Sequence, residues 1–156
     1  MIRYEEVDDS VVDLAFSIIT EYFPEIADVK IKYLFNNKKS ISHRKLVLGK
    51  CQKPNELAKH FSIEDAGDTD GYQYVITLDH VAYDSMDDAD RIRLLRHELR
   101  HVLVDKITNA SLETEIKYRI NPHNIEDFVE EIELNADNPD WARKAGRVAR
   151  KIYKQK

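Results

Sequence analysis

Between Ser85 and Asp105 two patterns share one helical spacing. On a wheel at about 100° per residue, Ile92, Leu95, Leu99, Val102 and Leu103 fall on one side. His97 and His101 fall on nearly the opposite side, with Glu98 beside them. A chain carrying this segment must bury one face of a helix in its core and hold the other face at a cleft. Ser85 reads as the start of that helix and Asp105 as its end. Asp87, Asp88 and Asp90 crowd the first turns, where negative charge suits the helix dipole.

The flanking segments read as mixed α and β. Residues 10–23 are amphipathic, with Val11, Leu14, Ala15, Ile18, Ile19 and Tyr22 at helical spacing, Ser10 as N-cap and Pro24 as terminator. Residues 29–35 alternate as a half-buried strand, and Lys45 to Cys51 reads as a second strand, antiparallel to it. A short helix is expected from Pro54 to His60 and an acidic loop from Glu64 to Gly71. Tyr72 to Leu78 has the β-branched and aromatic content of a strong strand. Residues 111–119 read as a last strand or hairpin arm. Asn121-Pro122 resembles an N-cap and first helical residue, opening a helix to about Ala136. Asn138-Pro139 starts a final helix with a basic end, which Trp141 is expected to pack onto the body.

The expected helix from Asn121 to Ala136 repeats the two-faced pattern. Ile125, Phe128, Val129, Ile132 and Ala136 form its apolar side, and His123, Asp127 and Glu130 cluster opposite. Two imidazoles spaced by four on one helix can hold one zinc ion, and the adjoining glutamate can act on water there. A catalytic zinc site usually takes three protein ligands and leaves one position open. His123 is the first choice for the third ligand. Asp127 and Glu130 are its rivals, either as ligands or as partners of a ligand imidazole. The chemistry that follows is peptide hydrolysis by a zinc-activated water, with Glu98 as general base. The strand from Tyr74 to Leu78 is expected at the cleft rim, where an edge could hold an extended peptide. Tyr83, Arg100, Tyr118 and Arg119 are candidate oxyanion donors, and the sequence does not rank them.

Composition narrows the alternatives. The 156 residues suit one domain, and 42% hydrophobic content is enough for its core. A net charge of −5 argues against a dedicated nucleic-acid binder. The basic residues from Arg143 to Lys156 read as a solvated helix end whose cations suit its dipole. Cys51 is the single cysteine, so no internal disulfide can form, which fits a reducing compartment. The N-terminus has no secretory h-region and no apolar run has membrane-spanning length. A cytoplasmic protein is expected. His43, His60 and His80 have no useful spacing, although His80 precedes the two-faced helix closely enough to approach its site. The competing readings are a non-enzymatic zinc-stabilised regulatory or scaffold protein, closed by a fourth ligand such as Glu130 or Asp127, and a nucleic-acid-associated protein using the basic tail.

Two blocks, Arg93-Leu94-Leu95-Arg96-His97-Glu98-Leu99-Arg100-His101-Val102 and Tyr118-Arg119-Ile120-Asn121-Pro122-His123-Asn124-Ile125-Glu126-Asp127-Phe128, resemble the phage-type metallopeptidases, small proteins of phages and prophages. The resemblance covers most of residues 45–142. It implies a zinc-dependent peptidase with a minimal zincin-like fold, and it implies a functional role for the block from His123 to Phe128. A looser similarity to the SprT-like proteases ends at their zinc-ribbon cysteines, which this chain lacks. The expectation is one α+β, zincin-like domain over residues 1–156, with a short, mostly antiparallel sheet packed on helices. One of those helices carries the active-site motif. His97, His101 and His123 are the expected zinc ligands, Glu98 is the general base, and a peptide or protein is the substrate.

Overall fold

The computed structural model describes residues 2–123 and 128–155. In chain order it contains β1 (Tyr4–Glu6), α1 (Asp9–Tyr22), a 3₁₀ turn (Pro24–Ile26), β2 (Ile31–Asn36), β3 (Ile41–Ser42), β4 (Lys45–Leu46), β5 (Gly49–Gln52), α2 (Glu56–Phe61), α3 (Ile63–Ala66) and β6 (Tyr74–Asp79). Then follow α4 (His80–Ser85), α5 (Asp88–Leu99), β7 (Val102–Thr108), β8 (Thr114–Ile120), α6 (Val129–Leu134) and α7 (Trp141–Lys154). The mixed α+β class agrees with the sequence.

The main sheet has the order β1-β2-β6-β5. β2 and β6 are parallel, while β1 and β5 run antiparallel to their neighbours. Two strand expectations are corrected. Residues 45–51 do not form one strand against β2. They break at Val47-Leu48, so that β4 pairs with β3 and β5 pairs with β6. Nor is β6 an edge. It lies between β2 and β5, and Tyr74, Ile76 and Leu78 are fully buried. That explains its apolar, β-branched composition, which suits a central strand.

Helix caps follow local chemistry. The Asp8 carboxylate, not Ser10, accepts from the Val11 amide and starts α1. Ser85 ends α4, and Asp87 caps α5 by accepting from the Asp90 amide at 2.8 Å. α5 packs between α1 and α7 and against β5. Leu94, Leu95 and Leu99 enter the core with Val11, Ala15 and Ile18 of α1 and Trp141, Ala145 and Ala149 of α7. The apolar stripe is therefore real over its helical part. Leu103, expected on that stripe, is exposed in β7.

The two-faced helix is shorter than its periodicity suggests. It ends at Leu99, and the chain turns at Arg100-His101 into β7. Asn121, arriving at the end of β8, supplies the stop. Its side-chain amide donates to the Arg100 carbonyl at 2.9 Å, and its backbone amide donates to the His101 carbonyl at 2.6 Å. Carbonyls left open at a helix end are thus satisfied by a residue twenty positions downstream. Beyond them Val102, Val104, Ile107 and Thr108 favour extended backbone. Their seven-residue pairing with β8 is in full antiparallel register, Val102 opposite Ile120 and Thr108 opposite Thr114. The hairpin reading of residues 111–119 is borne out. The Tyr74 hydroxyl pins the hairpin to the sheet by donating to the Arg119 carbonyl at 2.7 Å, and it also lies 3.0 Å from the Leu103 carbonyl.

The expected helix from Asn121 to Ala136 is corrected as well. Residues 121–123 are irregular, and α6 begins only at Val129. Its buried face is only partly the expected apolar one. Ile132 and Ala136 are exposed, whereas Phe128, Glu131 and Asn135 are buried. Ile125 and Asp127 lie outside the described residues.

Candidate metal centre

The β7–β8 hairpin carries the chain away from α5 and returns it to the same point. His97 occupies the last turn of α5, His101 follows the helix end, and His123 follows β8. Their rings converge. His123 Nε2 lies 3.0 Å from His97 Nε2 and 3.0 Å from His101 Nε2. Among the described residues these three form a metal-capable group, with all ligand atoms within 4.8 Å of one another. Three nitrogens about 2.05 Å from a tetrahedral zinc would stand about 3.3 Å apart. The donor set and its spacing therefore fit zinc. Glu130 is exposed on α6 and does not belong to the group.

The backbone orients one of these rings. His101 Nδ1 lies 2.8 Å from the Asn121 carbonyl oxygen. A carbonyl can only accept, so Nδ1 carries the proton and Nε2 presents its lone pair to the centre. The Asn121 residue that stops α5 thus also fixes the tautomer and plane of His101.

Phe128 forms the apolar wall of the group. It is 1% exposed, and its ring centroid lies 5.3, 5.0 and 5.0 Å from those of His97, His101 and His123. One aromatic ring against three imidazoles restricts their rotation and keeps water from one side.

Below the histidines, α5 turns a charged stripe inward. Arg96 and Arg100 face α6, while Arg93, one turn earlier, donates to Asp90 and to Asp137 beyond α6. Arg96 Nε donates to Glu131 Oε1 at 2.8 Å, and Arg100 Nε and Nη2 donate to Glu131 Oε2 at 2.9 and 2.8 Å. Arg96 Nη2 also donates to Asn135 Oδ1 at 2.6 Å. The two guanidinium groups stack over Tyr22 and Phe23 at the end of α1, 5.1 and 4.9 Å from the ring centroids. Glu131 is completely buried, and each carboxylate oxygen has a cationic donor. The ion network ties α6 to α5 beneath the histidines. The i, i+4 pair Arg96 and Arg100, each preceding a histidine, is a visible signal of it in the sequence, but nothing in the spacing of residues 121–136 singles out Glu131 as the acidic partner.

Glu98 lies on another side of α5, 4% exposed and against β5. Gly49 makes that approach possible. A Cβ at Gly49 would lie 3.1 Å from both Cγ and Oε1 of Glu98. Cys51 is near enough to feel the carboxylate. Burial first, and the Glu98 charge second, push its thiol up to about 12. A thiol held protonated in this way is a poor nucleophile near neutral pH.

The oxyanion candidates separate. Arg100 is engaged by Glu131, Arg119 pairs with Asp105 at 3.2 Å, and Tyr83 is buried against Phe35 and Arg91. Tyr118 packs edge-on against Tyr74. His80 does not join the centre. It stacks on Phe35 at 4.0 Å and meets Asn37 at 2.7 Å.

The edge beside Glu98 is β5. The Asp79 amide donates to the Leu48 carbonyl, so residues 48, 50 and 52 face β6 in the ladder. Gly49 and Cys51 then direct their backbone groups outward, and no further strand of this sheet lies beyond β5 among the described residues.

The family model described as putative phage metallopeptidase matches residues 2–153, nearly the whole chain. No curated protein and no solved structure matches it. None of the described helices is long and apolar enough to cross a membrane.

Proposed function

The chain belongs to the phage metallopeptidase family, and from that premise we propose that it is a zinc-dependent peptidase, a single zincin-like domain with its active centre at His97, Glu98, His101 and His123. The observation that carries the proposal is the convergence of three imidazoles, two from the end of α5 and one returned by the β7–β8 hairpin. Three neutral nitrogens suit zinc and leave a coordination position for water or substrate. Bound there, zinc supplies Lewis-acid activation of water and of the scissile carbonyl.

The chain's own residues do the rest. Asn121 and Phe128 hold the imidazoles in orientation. Glu98 takes a proton from the attacking water at its carboxylate and returns it to the departing amine. Its placement against Gly49 puts that carboxylate beside the outward backbone of β5. An extended peptide added to this edge would be held by main-chain hydrogen bonds and would pass alongside Glu98. This role belongs to β5 rather than to the buried strand beside it.

Glu98→Gln tests the reading. Zinc content should stay at the wild-type level, while peptide hydrolysis falls on the order of 10²–10⁴-fold. Loss of stability with unchanged hydrolysis would leave Glu98 a structural residue and remove the general base.

A further inference from the structure

A groove of about 420 Å³ opens between α7 and the chain leading into β5. That volume lies in the range of ligand clefts. Its floor is apolar, with Leu46 buried and Leu48 half-buried. Its walls are cationic. Arg143, Arg147 and Arg150 recur at spacings of four and three on one side of α7, and Lys45 faces them. Asp140 is the one carboxylate of the lining. Among the described residues no ion pair neutralises Lys45, Arg143 or Arg147, while Arg150 Nη1 donates to the Arg44 carbonyl at 3.1 Å and braces the mouth.

Gly146 supports the groove as a kept opening. It sits in the middle of a fourteen-residue helix, where glycine is a poor helix former. No neighbour demands it, since a Cβ there would meet nothing within 4 Å. What a side chain at Gly146 would occupy is the groove itself.

We infer that this groove is a specificity subsite that binds acidic side chains of the peptide substrate. The inference rests on the peptidase reading and extends it. The groove begins at Leu48, next to Gly49, where the open β5 edge meets Glu98. A peptide added to β5 therefore leaves the cleavage point toward the cationic walls. Carboxylates a few residues to that side of the bond would find three arginines and a lysine, and apolar neighbours would find Leu46 and Leu48. Nucleic acid fits less well. An apolar floor gives nothing to a phosphate backbone.

The test uses the full chain loaded with zinc and three fluorescein-labelled probes: a peptide alternating leucine and glutamate, its leucine–lysine counterpart, and a thymidine oligonucleotide matched in charge to the acidic peptide. Fluorescence anisotropy should show the acidic peptide binding at least tenfold more tightly than the basic one. The exposed pair Arg143→Glu and Arg147→Glu should weaken it at least tenfold, and Gly146→Trp, built into open space, should do so without any change of charge. Equal affinity for the two peptides, or affinity indifferent to both variants, would overturn the inference. So would tighter binding of the oligonucleotide that is lost in the same variants. Zinc content, and the loss of hydrolysis in Glu98→Gln, report on the peptidase reading independently. A chain that holds zinc and hydrolyses peptides without charge preference refutes the groove alone.

Discussion

Gly49 decides how closely β5 can approach Glu98. Its missing side chain leaves room for the glutamate's Cγ and Oε1, each 3.1 Å from where a Cβ would stand. Gly49→Val should cost about 1–3 kcal/mol through overpacking. It should also displace the carboxylate, so that hydrolysis falls at least tenfold while zinc content is retained. Undiminished hydrolysis would show that the Glu98 position is not set by this contact. Two strand positions further, Cys51 offers a chemical readout of the same wall. With its thiol raised from about 9 to about 12, the native chain at pH 8 holds on the order of a thousandfold less thiolate than an unburied thiol would. Alkylation by iodoacetamide at pH 8 should therefore be slower in the native protein by that order than in the chain unfolded by guanidinium. The gap should narrow as pH rises toward 12, because only the thiolate reacts. Similar rates in both states would contradict the burial.

Among the elements, α5 shows most clearly what one-dimensional patterns carry and what they omit. The spacing of Leu95 and Leu99 against His97 predicts one core face and one face that carries the histidine, and both are present. The end of the helix was not readable, because it depends on Asn121, which caps Arg100 and His101 from the far side of a hairpin. Residues 102–105 continue the helical pattern on paper, but the branched side chains of residues 102–108 gain more from pairing with residues 114–120. His123 does lie beside the other two histidines, but not as the helix-start residue that the sequence suggests. It arrives at the end of β8. α6 departs from its sequence pattern for a related reason. Its inward face is charged, and a buried Glu131 becomes acceptable only once Arg96 and Arg100 from another helix neutralise it. Removing that carboxylate leaves Arg96 buried with its main partner gone. Glu131→Ala should destabilise the fold by about 3–5 kcal/mol, read as a lower urea midpoint with unchanged slope. A change below about 1 kcal/mol would mean that the ion network does not hold α6 in place.

At the scale of the whole molecule, three features meet at the end of α5. The hairpin returns His123, α6 seats Phe128 behind the three imidazoles, and β5 lays an open edge past Glu98. The core below them, from α1 through β6 to α7, is ordinary hydrophobic packing that fixes α5 in place. The metal is therefore expected to join segments distant in sequence, and binding it should stabilise the folded state by linkage, about 4 kcal/mol at a free concentration a thousandfold above Kd. The proposed centre holds one zinc ion through His97, His101 and His123. Mass-spectrometric metal content of the purified chain, beside His97→Ala, His123→Ala and Glu130→Ala, tests it most directly. About one zinc per wild-type chain, lost in both histidine variants and kept in Glu130→Ala, is the predicted result. A folded wild type that takes up no zinc when it is supplied, or a Glu130→Ala variant that loses zinc while His123→Ala keeps it, would contradict the three-histidine site.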